Sequence, residues 1–173
     1  RIDSVVFRTS PRLTLLNDTR IDPAVRDITF RDSELRSKIL SNFVGARVIT
    51  DLENSIPLGV GVRLYVGRTP ETVYTDPVIT IPKLDRDPFQ AVAAPVDANG
   101  YSSGTETVRR EIALNAEDVA NFILEDNDRG RLYSGVRITL PSTDGEVEVL
   151  GTDFINIIAG LEVELLLDDS LVE

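Results

Sequence analysis

Clustered carboxylates are the main raw material for chemistry in this sequence. They occur in three turn-like stretches, residues 85–88, 97–100 and 125–128. Calcium takes about six to eight oxygen ligands, so three acidic loops meeting at one end of a fold would suit it. The side chains that could supply such a site are Asp85, Asp87, Asp97, Asp126 and Asp128. Because Arg86 and Arg129 lie in two of these loops, solvated acidic turns are the favoured interpretation, and we expect no metal.

The side chains on which most catalytic centres depend are missing. The chain has no histidine, cysteine, methionine or tryptophan, which excludes histidine acid–base catalysis, cysteine nucleophiles, Cys/His zinc sites and disulfides. Ser37 directly precedes Lys38, so the two would lie on different faces of a helix and form no Ser–Lys pair. The Gly59-Val60-Gly61 run lacks the third glycine of a nucleotide loop. We expect no enzyme, no catalytic residue and no cofactor-binding residue.

The charge balance bears on partners and environment. The formal net charge is −11, with 29 carboxylates against 18 basic residues, of which only Lys38 and Lys83 are lysine. Such a surface repels nucleic-acid phosphates and anionic lipid headgroups. Many aspartates with few lysines favour a saline environment, where ions screen the repulsion. A GC-rich genome, whose codons favour arginine, is the alternative explanation for the scarcity of lysine. The most apolar stretch, residues 154–167, is shorter than the roughly 20 residues that a membrane helix needs. We therefore expect no nucleic-acid partner and no membrane span.

Alternating apolar residues predict the elements that carry these groups. From residue 44 onward the hydrophobic period is two, in runs near 46–53, 62–66, 78–81, 107–114 and 161–165. Half-buried antiparallel strands produce this pattern, with one face in the core and one in solvent. The prolines at 77 and 82 assign the 78–81 run to a sheet edge. Two short helices are predicted, one ending near residue 43 and one capped by Asn115.

One strand pair looks especially well specified. Residues 136–140 and 147–149 have matching apolar faces around a Pro-Ser-Thr-Asp-Gly turn. This pattern predicts a hairpin with Arg137 opposite Glu148. With about six to eight strands in total and one or two short helices, the expected fold is an all-β antiparallel β-sandwich. Residues 44–173 form the sandwich, and residues 1–43 form an N-terminal strand and helix appendage.

The appendage is too short to bury a core of its own. Its Ile2–Phe7 strand has two routes, which the sequence leaves open. It either joins an edge of its own sandwich, or it pairs with a neighbouring copy and promotes assembly.

The turn motifs resemble a known kind of domain. The matching residues lie in three places: Asn54, Ile56, Pro57, Leu58 and Gly59; Ala94, Pro95, Val96, Asp97 and Gly100; and Thr152, Asp153 and Phe154. Their order resembles an uncharacterised β-sandwich domain of cell-surface and lipoprotein-like proteins of the Bacteroidetes lineage. The Asn-x-x-Pro-Leu turn is also similar to that of LEA/WHy β-sandwiches. The resemblance covers about residues 44–168 and implies a surface-associated domain without an enzymatic site.

Two classes of function remain. The first is a non-catalytic structural or protein-interaction domain of a cell-surface, periplasmic or filament assembly, which would be outer-membrane-associated or periplasmic and could self-associate through edge strands. The alternative is a virion or decoration protein, or a calcium-dependent, cadherin-like adhesion module. Calcium-dependent stability would distinguish the adhesion module from the rest.

Overall fold

The protein is a β-sandwich, as the alternation predicts. The computed structural model describes residues 5–6, 12–13, 19–28, 37–39, 41–123, 131–141 and 147–166. These residues contain one eight-residue helix, α1 (Ala116–Ile123), and a helical turn at residues 37–39 and 41. The strands in chain order are β1 (Val5–Val6), β2 (Arg12–Leu13), β3 (Thr19–Ile21), β4 (Arg26–Asp27), β5 (Phe43–Asn54), β6 (Val60–Gly67), β7 (Ile79–Ile81), β8 (Phe89–Ala91), β9 (Glu106–Leu114), β10 (Tyr133–Leu140), β11 (Val147–Glu148) and β12 (Phe154–Leu165).

Two antiparallel sheets form the sandwich. The four-stranded sheet has the order β1-β12-β5-β9, and the six-stranded sheet has the order β3-β10-β6-β7. In the second sheet β4 also pairs with β10, and β8 also pairs with β6, while β11 and β2 form a separate two-stranded pair. The prediction that the 78–81 run lies at an edge is confirmed, because β7 pairs only with β6 among the described strands.

The core lies between the inner faces of the two sheets. Every second residue of β5 from Val48 to Asn54 is buried, which confirms the predicted alternation. A single hydrophobic cluster joins both sheets, and its fully buried members include Leu52, Ile157, Val62 and Ile138. Burying a side chain of this size contributes about 1.5–3 kcal/mol, so the facing apolar rows are what hold the layers together.

The helix forms where its capping residues predict it. Asn115 Oδ1 accepts the Asp118 N–H at 2.7 Å, and Asp118 Oδ2 accepts the Asn115 N–H at 3.3 Å. This reciprocal pair satisfies two backbone donors at the helix start. Val119 is buried against the core. The helix predicted to end near residue 43 ends earlier, because β5 already begins at Phe43.

The predicted 136–149 hairpin is wrong. β10 pairs with β6 on one side and with β3 and β4 on the other, so no side remains for β11, which pairs with β2 instead. Arg137 lies opposite Arg63 of β6 and not opposite Glu148. Matching apolar faces fix which side of a strand is buried, but they do not select its neighbour.

The described strands of the first 43 residues pair with strands of the same chain. β3 and β4 run along the outer edge of β10, and β1 pairs with the start of β12 through Val5 opposite Ile155. The described part of the Ile2–Phe7 strand therefore joins an edge of its own sandwich, which is the first of the two routes. The segment completes sheet edges and shares the core through Ile21.

Candidate functional site

The predicted calcium ligands lie in different connections of the fold. Asp85 and Asp87 are exposed in the loop between β7 and β8, and Asp97 is exposed in the connection from β8 to β9. Asp126 and Asp128 lie outside the described residues. Within the described part of the chain, no three acidic side chains come together as a group that could hold a metal ion. The calcium site therefore has no support from the three ligands whose positions are known.

Asp97 has a local structural role. Its Oδ1 accepts the backbone N–H of Asn99 at 2.8 Å and that of Tyr101 at 3.0 Å, which closes the turn that contains Gly100. Gly100 has a φ of +86°, a backbone conformation that favours glycine. The N–H groups of Tyr101 and Asn99 lower the pKa of Asp97 because they stabilise the carboxylate. This acidic loop is thus shaped by its own turn.

The Asn-x-x-Pro-Leu motif forms a buried cluster of hydrogen bonds that joins three chain segments, and we call this cluster the polar knot. Asn54, fully buried at the end of β5, donates from Nδ2 to the carbonyls of Leu58 and Val92, both at 2.7 Å. Its Oδ1 accepts the Ile56 N–H at 3.1 Å. Both amide hydrogens and the carbonyl of one side chain are used, as a buried amide requires. The motif ties the β5–β6 turn to the chain that follows β8.

Ser55 extends the knot to the last strand. Its N–H donates to the Phe154 carbonyl at 2.9 Å, and its hydroxyl accepts the Phe154 N–H at 2.6 Å. The Ser102 hydroxyl donates to the Ser55 carbonyl. The Ala94 N–H donates to the Ile56 carbonyl at 2.9 Å, so residues of all three motif groups are joined by hydrogen bonds near this end of the sandwich.

Asp153 is a buried carboxylate directly before β12. Only 4% of the residue is exposed, and its Oδ2 accepts the Leu150 N–H at 2.8 Å. Burial raises the pKa of Asp153, and the Leu150 N–H opposes this rise only in part. A carboxyl with a raised pKa in a cleft would be a catalytic candidate. Here it closes the turn that leads into β12, since the Asp153 N–H also donates to the Leu150 carbonyl at 3.0 Å.

An arginine–tyrosine cluster covers the outer face of the six-stranded sheet. The Arg137 guanidinium lies 4.7 Å from the ring centre of Tyr65 and 4.9 Å from that of Tyr74. Its Nε and Nη2 donate to the two carboxylate oxygens of Asp22 at 2.9 and 3.2 Å. Burial alone would raise the pKa of Asp22, but hydrogen bonds from Arg137 and Arg20 outweigh burial and lower it.

Tyr65 is buried although the alternation of β6 places it on the side opposite the core: only 3% of it is exposed. The segment after β6 folds back over this face, with the Tyr74 ring against Gly135 and Val73 against Gly67. A Cβ on Gly135 would lie 2.7 Å from the Tyr74 ring, so glycine permits this close approach. Gly135 in β10 and Gly67 at the end of β6 are the sequence signals that another segment packs on this face. Tyr65 and Tyr74 are thus packing residues.

The outer face of the four-stranded sheet carries a network of exposed ion pairs. Arg47 bridges Glu162 of β12 at 2.9 Å and Glu111 of β9 at 3.3 Å, and Arg109 lies 3.7 Å from Asp51. A hydrogen bond from Arg47 lowers the pKa of Glu162. Exposed ion pairs contribute little to stability because water and salt screen them, so this network supports the register of three strands without forming a binding centre.

The two long edges of this sheet differ in character. β9 is one edge over nine residues, and the exposed charges of Arg109, Arg110 and Glu111 occupy its middle. Charges of this kind discourage pairing with a further strand. On the other side, the described part of β1, Val5–Val6, pairs with Ile155 and Phe154 of β12, and among the described residues no strand pairs with that side of β12 beyond Ile155. We call residues 156–165 of β12 the open edge.

The first six residues of the open edge lack the usual protection, whereas Glu162 and Glu164 follow them. From Phe154 to Leu161 the strand contains neither a charge nor a proline. Ile158 is 44% exposed and Leu161 42% exposed. A long, uncharged edge strand is a template for pairing with another strand. Among the described residues, this edge is the feature with the clearest capacity for interaction. The alternation of residues 161–165 predicts a strand, but it does not show whether another strand lies beside it.

Comparison with known proteins gives no match: no family model fits the chain, and no curated protein or solved structure is significantly similar to it. Among the described residues, no helix has both the length and the apolar character needed to cross a membrane. The candidate functional site therefore has to be interpreted from its own geometry, and that geometry is a sheet edge.

Proposed function

We propose that this protein is a non-catalytic structural or protein-interaction domain whose partners pair with an edge of the four-stranded sheet. The observation that carries the proposal is the open edge of β12, which is uncharged from Asn156 to Leu161. Backbone groups along such an edge supply hydrogen bonds to an added strand, and alternate side chains supply specificity.

The roles of the polar side chains support a non-catalytic function. Asn54, Asp97 and Asp153 are polar side chains that could take part in catalysis, yet each forms hydrogen bonds with backbone groups of its own or a neighbouring turn. Arg137 is likewise held between Asp22 and two tyrosine rings. Groups committed to internal hydrogen bonds maintain the fold, and their use in turnover would require breaking those bonds.

The setting of the domain follows from charge and from the resemblance. A net charge of −11 with two lysines favours a saline environment and disfavours nucleic-acid partners. The resemblance to surface-protein domains adds a place in a cell-surface, outer-membrane-associated, periplasmic or filament assembly. The proposal therefore includes a protein partner, a saline location and no cofactor.

Sedimentation velocity over a wide range of protein concentrations, in dilute buffer and in molar KCl, tests the proposal. We expect reversible association that strengthens with salt, because screening reduces repulsion between acidic copies. A matched sample with the uncharged edge blocked, Ala159→Pro, shows whether β12 is involved. A strictly monomeric protein that hydrolyses a test ester or glycoside would contradict the proposed function.

A further inference from the structure

We propose that the open edge of β12 pairs with the same edge of a second copy, antiparallel and around a two-fold axis at Gly160. This inference rests on the proposed function and deepens it by naming the strand, the register and the partner. The resulting dimer would have one continuous sheet running through both copies. Self-pairing of identical strands around a two-fold axis is necessarily antiparallel, which is the commoner arrangement of sheets.

Backbone directions along β12 show which groups can pair. The Phe154 carbonyl accepts the Ser55 N–H, and the Leu166 N–H donates to the Asn42 carbonyl. Even-numbered residues at both ends of the strand therefore point their backbone groups toward β5. Since these directions alternate along an antiparallel strand, the odd-numbered residues Ile157, Ala159, Leu161 and Val163 direct theirs to the open edge.

The pattern of charges restricts the register. In a continuous sheet, residues on one face must oppose residues on the same face, so the numbers of opposed residues sum to an even value. A sum of 324 would place Glu162 opposite its own counterpart. A sum of 320 opposes Glu162 to Ile158 and Glu164 to Asn156 and, like the neighbouring sums of 318 and 322, avoids every pairing of like charges.

The geometry of the strand agrees with the sum of 320. This register uses residues 156–164, which follow the described pairing with β1 and stop where the regular pairing with β5 ends, at the irregularity between Glu164 and Leu165. It also places Leu161 opposite Ala159 of the second copy. The two exposed apolar side chains of the open edge, Ile158 and Leu161, then lie at the centre of the contact.

Gly160 supports the same register independently of the charges. A glycine inside a strand is unfavourable, and no described atom lies within 4 Å of the place where its Cβ would be. Packing within one copy therefore gives no reason for glycine here. At the two-fold axis Gly160 faces its counterpart in a pair without mutual hydrogen bonds, where Cα atoms approach to about 4.5 Å. Glycine in a strand often marks such a close approach of another backbone.

Disulfide trapping tests the register, because the chain contains no cysteine. Gly160→Cys puts two thiols within the roughly 7 Å Cα separation that a disulfide tolerates, and its side chain has open space in the single copy. The matched control is Glu162→Cys, on the same face of the same strand. Its two thiols would be about 14 Å apart, given a rise of about 3.4 Å per residue.

We expect oxidation of Gly160→Cys in molar KCl to give at least about tenfold more covalent dimer than Glu162→Cys, corresponding to about 1.4 kcal/mol of discrimination. Adding Ala159→Pro should reduce the dimer from Gly160→Cys, because it removes an N–H that faces the open edge but leaves the ladder with β5 intact. Equal trapping of both cysteines, or trapping of neither, would overturn the proposal.

The outcome also separates this inference from the proposed function. Association of the native chain without selective trapping at Gly160 would overturn the two-fold pairing, while edge-mediated interaction through β9 or another partner would stand. Occupation of the open edge by a strand of the same copy would leave the native chain monomeric and trap neither cysteine, which also overturns the pairing.

Discussion

Replacing Asn54 by alanine should destabilise the protein more than any comparable polar truncation on the surface. The change removes hydrogen bonds to the Leu58 and Val92 carbonyls and from the Ile56 N–H. The two groups on Ile56 and Leu58 are in buried residues, while Val92 is exposed and its carbonyl can bind water. An abandoned buried group costs about 1–3 kcal/mol.

Two such groups give an expected loss of about 2–6 kcal/mol in the free energy of unfolding, which is a large part of the stability of a domain of this size. Asn54→Asp should be at least as damaging at neutral pH, because a carboxylate oxygen would then face the two carbonyls that the amide nitrogen now contacts. Its deficit should shrink in acid as that carboxyl becomes protonated.

Urea denaturation followed by circular dichroism measures both effects, and an unchanged m-value would show that the native and unfolded states remain comparable. Asn99→Ala is the matched control: its exposed amide reaches only Asp97, at 3.4 Å, and its loss should change stability by less than about 0.5 kcal/mol. An Asn54→Ala protein within 1 kcal/mol of the native chain, a threshold of about a typical single hydrogen bond, would refute the polar knot.

Three further predictions concern the cover of the outer face, a buried acid and salt. Gly135→Ala should lower stability by about 1–3 kcal/mol, because its Cβ would collide with the Tyr74 ring, and an unchanged urea midpoint would show that the ring is not packed there. Asp153→Asn should raise the melting temperature at pH 7. Because the pKa of Asp153 is raised in the folded protein, its protonated carboxyl adds to the free energy of unfolding. This stabilisation is fully present below the ordinary pKa of 3.8 and is lost as the pH rises through the folded-state pKa. The difference between the two proteins should vanish near pH 3 in a pH series of thermal melts, and a constant difference would contradict the assignment. The melting temperature should rise between 0.1 and 1 M KCl, as the screening length falls from about 10 to about 3 Å, and to a similar extent in potassium acetate. No rise in either salt would remove the support for a saline environment.

Local patterns predicted the strands and the helix because their causes are local. The alternation around Val48 and Leu52 reports a buried face directly, and the Asn115 cap with Asp118 is complete within four residues. The partner of β10 depends instead on residues more than a hundred positions away. The Arg20 to Asp22 stretch was interpreted as part of a polar appendage, yet it lies beside β10 and holds Arg137.

The candidate site could not be predicted from the sequence for a related reason. An edge is defined by which strand is missing beside it, and no pattern within residues 156–165 contains that information. What the sequence does contain is the uncharged run from Phe154 to Leu161 with Gly160 inside it. Together with the described pairing of β1, which covers Phe154 and Ile155, that run becomes interpretable as an interaction surface.

Residue-resolved amide hydrogen exchange, measured in molar KCl at low and at high protein concentration, shows whether β12 pairs with a further strand. We expect the amides that face the open edge of β12, those of Ile157, Ala159 and Leu161, to exchange rapidly in the dilute sample and to be protected in the concentrated one. The neighbouring amides of Ile158 and Gly160, which face β5, should be protected in both samples. Rapid exchange of the edge amides of both β12 and β9 at every concentration would contradict an interaction function for this sheet.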